Sequence, residues 1–189
     1  MTQNQSESIF FRRQSKRAYR PTPVPAEALQ RILEKTRWAP SCANRQSWQF
    51  VIVQDPAVLA RFQEALNRGN AWAKKAPVLV AVAARAEDAC QRRDEPMSYH
   101  LFDCGLAVEN FLLASVEEGL MGHPMAGYNS PTARQALGIP EEYAVVCLIS
   151  LGYPGDIADL DEQTRIKDER PRTRKRLEEN FFFDGWPAG

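Results

Sequence analysis

The sequence predicts a mixed fold, α/β or α+β, built around one sheet. Three observations predict it. Two apolar runs, at 77–84 (PVLVAVAA) and 143–151 (YAVVCLISL), read as strands, the first of the kind covered on both faces. A third run at 49–54 (QFVIVQ) reads as another strand. Between them lie segments whose apolar residues recur at helical spacing. A chain of 189 residues, 44% apolar and 25% charged, fits one domain spanning 1–189.

The elements follow in order. Residues 5–14 are expected to form a short helix carrying Ile9 and Phe10. Pro21, Pro23 and Pro25 stiffen an extended connector. Pro25 suits a first helical turn, where Glu27 complements the helix dipole. Leu29, Ile32, Leu33 and Thr36 continue that helix to about Trp38, and Pro40 with 41–43 ends it. After the strand at 49–54, Pro56 opens a helix with Val58, Leu59 and Phe62 on one face. A turn around Gly69 is expected at 67–70. Residues 98–118 form the longest helix, with Leu101, Cys104, Val108, Phe111 and Leu112 in period and Gly119 as the stop. From Cys104 to Val116 the only polar side chains are Glu109, Asn110 and Ser115, so this helix is expected to be central. Residues 121–125 read as a short strand or loop, and 130–137 as a short helix. Residues 155–175 are polar and read as loop. The tail carries Phe181, Phe182, Phe183 and Trp186, which need a groove or a partner subunit to cover them.

Several functions are excluded early. The longest apolar stretch is about half of what a membrane helix needs. The sequence is polar through Ser8, without a signal-peptide core. Cys42, Cys90, Cys104 and Cys147 lie far apart with no CxxC pair, which points to reduced thiols and a cytoplasmic protein. His100 and His123 are too few for a histidine metal site. No GxG, P-loop or GxSxG motif occurs.

The formal net charge is zero, which argues against a nucleic-acid binder. That neutrality hides two basic clusters. Arg12, Arg13, Lys16, Arg17 and Arg20 stand without an acid in 12–20. Seven basic residues face only Asp168 and Glu169 in 165–176, leaving +5. Guanidinium groups beside a hydroxyl bind phosphate by charge-assisted hydrogen bonds. A solvated basic face would have the same composition. The small residues of 39–48 (APSCANRQSW) allow close backbone approach to a ligand, with Asn44 and Gln46 as hydrogen-bonding groups; a plain connecting loop would read the same way. His123, alone before a proline, reads as structural rather than as a general acid, and Cys42 as a small lining residue.

The segments RRQSKRAY at 12–19, RWAPSCANRQSWQFVIV at 37–53, GNAWAKKAPVLVAV at 69–82, DCGLAVENFLLASVEEGL at 103–120, GYNSPTARQALGIPEEY at 127–143, LGYPGD at 151–156 and RKRLEE at 174–179 stand in one order. Together, over about 8–184, they resemble the FMN-dependent nitroreductase family. The resemblance implies an α+β sandwich with a central, mostly antiparallel sheet flanked by helices. It also implies a homodimer with FMN at the subunit interface. Carried over by position, Arg13, Gln14, Ser15 and Arg17 match the N-terminal flavin-binding segment, and Arg174 and Arg176 the pair that holds the flavin phosphate. Pro40, Ser41, Cys42, Asn44 and Gln46 match the loop that reaches the flavin from the other subunit. Asn70 matches an amide contacting the ring system, and Met125, Ala126 and Gly127 the backbone beside flavin N5. Arg17 is the candidate cation for the reduced ring.

The sequence departs from the family's pattern at Gln14, where Arg or His is frequent, at Cys42, a common Ser, and at Ser47, a common Pro. The segment between Ala86 and Met97 is short and charged where larger members carry inserts. The implied activity is electron transfer from NADH or NADPH through FMN to nitroaromatic, quinone or enone acceptors by ping-pong kinetics. No side chain acts as nucleophile and no metal is needed. The alternatives are dehalogenation, flavin fragmentation or a non-catalytic FMN sensor. The expected partners are a second copy, with the tail at about 177–189 packed on it, and a small-molecule acceptor. No nucleic acid or membrane is expected.

Overall fold

The apolar run at 78–84 becomes the strand on which the rest of the chain is laid. In the computed structural model, which describes residues 8–187, four antiparallel strands form a sheet in the order β1-β2-β4-β3. They are β1 Trp48–Val53, β2 Val78–Ala84, β3 Met121–Met125 and β4 Ala144–Gly152. All of β2 is buried, between β1 and β4. Alternate side chains face opposite layers. Val78, Val80 and Val82 join one apolar cluster, and Leu79 and Ala81 the other. A strand covered on both faces has no place for a polar side chain, which is why the run is continuous. The stretch at 121–125 is a sheet edge.

Among the described residues six α-helices flank the sheet: α1 Ile9–Arg12, α2 Ala26–Thr36, α3 Pro56–Gln63, α4 His100–Glu117, α5 Ser130–Leu137 and α6 Glu162–Glu169. In the first layer α2 buries Leu29 and Ile32, and α4 buries Cys104, Phe111 and Leu112. The Phe111 ring stacks 5.8 Å from Phe50 of β1. Full burial of Ile32 and Phe111 contributes ~2 kcal/mol each. Gly122 lets α4 lie close to β3, since a Cβ there would come within 2.6 Å of the Leu112 side chain. The second layer holds Phe62 of α3, Ala133 of α5 and Trp72 against Leu79 and Leu148.

The helix ends follow their local chemistry. Asp55 accepts from the backbone N–H of Ala57 and Val58 to cap α3, and Asn129 accepts from Thr132 N to cap α5. Gly119 (φ 70°) and Gly138 (φ 64°) take the left-handed conformation where α4 and α5 stop. No helix among the described residues is long and apolar enough to cross a membrane.

Four expectations need correction. The polar segment 155–175 is not all loop: it contains α6, capped by Asp161, whose side chain accepts from Thr164 N. Only Thr164 and Asp168 of that helix are buried, so it has no apolar stripe to announce it. The expected turn at 67–70 runs on into a 3₁₀ stretch, Arg68–Lys75. Leu101, in period with the core of α4, is 55% exposed, beside Phe102 at 60%. The helix expected at 5–14 is confined to Ile9–Arg12, and residues 5–7 of it lie outside the described residues.

Candidate flavin site

The two basic clusters meet, although they are separated by most of the chain. Residues 18–20 run beside 153–155: Gly155 N donates to Ala18 O at 2.8 Å and Arg20 N to Tyr153 O at 3.0 Å. A Cβ on Gly155 would lie 2.6 Å from the Tyr19 carbonyl carbon, so the close approach requires glycine. Tyr19 is buried, and its hydroxyl reaches Ser150 Oγ at 2.8 Å and Ser150 O at 3.2 Å. With this seam closed, Lys16 O accepts from His123 Nδ1 of β3 at 2.9 Å, and Arg172 reaches the carbonyls of Phe10 and Phe11.

Arg13 and Arg174 line one cavity of about 420 Å³ with Phe10, Phe11, Glu109 and Arg172. Arg172 donates to the carbonyls of Phe10 and Phe11, so α1 fixes its place. Burial lowers the Arg172 pKa, and the like charges of Arg13 and Arg174 lower it further. Glu109, 3.8 Å from Arg13, is the carboxylate in this cavity. Ser15 Oγ accepts from Arg13 Nη1 at 3.5 Å. Three guanidinium groups against one carboxylate make a site short of negative charge, and a phosphate monoester fits that donor set. Arg172 was visible in the sequence only as one member of a charge run. Its neighbours depend on tertiary contact.

Arg17 takes a different position. Its Nη1 lies 2.7 Å from Asp168 Oδ1, and its backbone N–H donates to Asp168 Oδ2 at 3.1 Å. The Asp168 side chain has no exposure, and the Arg17 guanidinium lies 5.6 Å from the Trp72 ring centroid. Lys16 Nζ donates to Asp168 O. Gln14 lines a separate cavity of about 280 Å³ with Arg12 and Lys16. Arg176 is 82% exposed at its side chain, pairs with Glu179 at 3.6 Å, and lies outside both cavity linings.

The ring-contact candidates form a second group. Asn70 Nδ2 donates to Gly127 O at 3.0 Å, and Asn67 N donates to the same carbonyl. A Cβ on Gly127 would stand 2.7 Å from Asn70 Nδ2, so a larger residue here would displace the Asn70 amide. Met125 is buried at the end of β3, and Ala126 is exposed beside it. Trp72 links this group to Arg17, and its ring lies 4.6 Å from His123. His123 Nδ1 bonds Lys16 O at 2.9 Å, and burial lowers its pKa. That environment is structural, as the sequence implied.

Pro40, Ser41, Cys42, Asn44 and Gln46 lie apart. Among the described residues no hydrogen bond or ion pair joins this loop to Arg13, Arg17, Asn70 or Gly127. The loop takes left-handed φ at Ala43 (50°), Asn44 (54°) and Gln46 (50°). Ser41 Oγ accepts from Gln46 N at 2.9 Å, and buried Asp103 accepts from Cys42 N at 3.2 Å. Asp103 was read only as part of a motif, yet it holds this loop from beneath. The expectation of four reduced thiols is overturned: Cys42 and Cys90 form a disulfide. Their separation of 48 residues hid the pairing in the sequence. Cys104 and Cys147 are free, and burial raises their thiols to about 12 and about 11.

Comparison with known proteins places the fold in a family. A family model described as the Nitroreductase family matches residues 11–71 and 65–153. The chain belongs to the nitroreductase family. It is an oxidoreductase, and that membership implies FMN as cofactor with NADH or NADPH as donor. A Thermus thermophilus protein named NADH dehydrogenase is 30% identical over 180 residues, 80% of this chain and 87% of its own length. An Archaeoglobus fulgidus protein whose name joins NADH dehydrogenase and NAD(P)H nitroreductase is 30% identical over 158 residues, 82% of this chain and 88% of its own. A solved oxidoreductase containing FMN superposes with a TM-score of 0.86 at 30% identity, covering 96% of this chain and 92% of its own.

Proposed function

We propose that this nitroreductase-family chain is an FMN-dependent NAD(P)H oxidoreductase acting on nitroaromatic, quinone or enone acceptors. In this reading it works as a cytoplasmic homodimer. The observation that carries the reading is the convergence of Arg13, Arg172 and Arg174, with Glu109 as the one carboxylate lining their cavity. A flavin phosphate matches that imbalance. Arg13, Ser15, Arg172 and Arg174 would hold it. Asn70 and Gly127 would line the ring system, together with the backbone at Met125 and Ala126.

FMN supplies the two-electron chemistry when bound. The chain's own residues bind and orient. Arg17 brings Asp168 as counter-ion, so its pull on a reduced, anionic ring is weaker than that of a free guanidinium. One open face serving donor and acceptor in turn gives ping-pong kinetics.

The dimer reading is supported by apolar side chains left in solvent. Leu101 and Phe102 on α4 and Leu177, Phe181, Phe183 and Trp186 in the tail are all more than half exposed. Isolated, such a set is costly, and a second copy of the chain would cover it. Residues 188–189 of the tail lie outside the described residues. The separation of loop 40–46 from the arginine trio fits a site in which the loop of one subunit reaches the flavin of the other.

The test is direct. Purified protein is expected to show a flavin spectrum that bleaches under anaerobic NADH or NADPH, with parallel initial-rate lines across an acceptor panel. Protein that is colourless and takes up no added FMN overturns the reading.

A further inference from the structure

The 41–46 loop is conformationally expensive and weakly held. Three non-glycine residues, Ala43, Asn44 and Gln46, stand in the left-handed region, which L side chains rarely adopt. The bonds Gln46 N to Ser41 Oγ and Gln46 Nε2 to Asn44 O lie within the loop and do not tie it to the body of the protein. Two tethers reach outward, and both start at Cys42. One is its N–H to Asp103 Oδ1 at 3.2 Å; the other is its sulfur, bonded to Cys90. Asp103 is fully buried and its second oxygen, Oδ2, has no hydrogen-bond partner among the described residues.

Cys90 stands at the foot of a small excursion. Its carbonyl accepts from Tyr99 N at 2.9 Å, and Gln91 bridges Ser98. Residues 91–97 are exposed, and both cysteines are half-buried. The disulfide therefore joins the loop assigned to the flavin with the short charged segment beside it. Cys104, by contrast, is sealed in the core, and both free thiols are held protonated by burial. Thiol chemistry is concentrated at the 42–90 pair.

We propose that Cys42 and Cys90 form a reversible thiol–disulfide site, reduced by small thiols and reoxidised by peroxide, whose state sets the order of the 41–46 loop and the 91–98 excursion. In the reducing direction a thiolate attacks one sulfur of the pair and the other leaves as a thiolate that takes a proton. A second thiol then attacks the mixed disulfide, so two thiols become one small disulfide and the protein gains two Cys thiols. In the oxidising direction one Cys thiol gives up its proton, the thiolate attacks peroxide to form a sulfenic acid, and the departing hydroxide takes that proton and leaves as water. The second thiol displaces another water as the sulfur–sulfur bond forms.

The experiment uses the full chain treated with dithiothreitol or with hydrogen peroxide. Native thiol labelling and intact mass should show two additional reactive thiols after reduction, and the loss of two hydrogens after peroxide, through repeated cycles. Limited proteolysis within 41–46 or 91–98 should be faster in the reduced form. FMN should bind about 5-fold more weakly to it. Cys90→Ser should behave as the reduced form and ignore peroxide. A pair that never oxidises, or that cycles with no change in proteolysis, overturns the proposal. Only the FMN readout rests on the flavin reading. If FMN binds neither form, that reading falls while labelling and proteolysis still decide the thiol site.

Discussion

Arg13 and Arg17 stand four residues apart in one basic segment, yet the fold uses them in opposite ways. Arg17 is spent inside the protein, 2.7 Å from a carboxylate with no exposure. Arg13 faces a cavity shared with two more arginines. Arg17 and Asp168 knit the first segment to the sixth helix, so its charge is answered before any ligand arrives. Arg13, Arg172 and Arg174 repel one another, and Glu109, 3.8 Å from Arg13, offsets only part of their charge. Identical side chains thus divide into scaffold and site according to how fully the fold supplies a counter-charge.

The strongest way to break this contrast is Asp168→Ala, which leaves Arg17 and its backbone N–H facing a buried gap. Removing one partner of such a pair is expected to cost ~3 kcal/mol of stability, at the low end of the range because Arg17 retains 22% exposure. Urea denaturation measures it, and a loss under ~1 kcal/mol would mean the pair is no anchor.

The complementary change is Arg172→Ala or Arg174→Ala. Each should weaken FMN binding 10- to 100-fold, the loss of roughly 1.5–3 kcal/mol in charge-assisted hydrogen bonding, with folding stability nearly unchanged. Arg176→Ala, at an exposed position, should do less in the same fluorescence titration. Equal losses at 174 and 176 would instead show that assembly brings Arg176 to the same anion.

Gly127→Ala probes the uncharged half of the site. The added methyl meets Asn70 Nδ2 at 2.7 Å and should cost ~1–2 kcal/mol while displacing the Asn70 amide. Unchanged stability together with unchanged flavin affinity would remove Asn70 and Gly127 from the site.

The smallest effect concerns His123. Burial holds its folded pKa below the ordinary 6.5, so below that pH the unfolded chain takes up a proton that the folded chain does not. Its contribution is intact above 6.5 and is lost as pH falls from there toward the folded value. His123→Asn should flatten the decline in denaturation midpoint between neutral pH and about pH 5. An equally steep decline would exclude His123 as its source.

Much of the fold was legible because its signals are local. The runs at 78–84 and 144–152, Pro56 at the start of α3, and the stop Gly119 each act within a few residues. Helix α6 escaped because its buried face is Thr164 and Asp168, so a polar partner rather than an apolar stripe holds it. Arg172, Asp103 and the 42–90 pairing escaped for a related reason, since each gains its meaning from a residue far off in the chain.

By itself the sequence determined the buried strands, the central helix, the family, and the presence of two basic clusters in a neutral chain. Periodicity, capping and motif order carry that information over short windows. Only the tertiary structure decided which arginines stay free, which carboxylate stands under the loop, and which cysteines meet. Charge pairing and covalent pairing depend on distances of a few ångströms, and folding alone sets those between segments 48 or 151 residues apart.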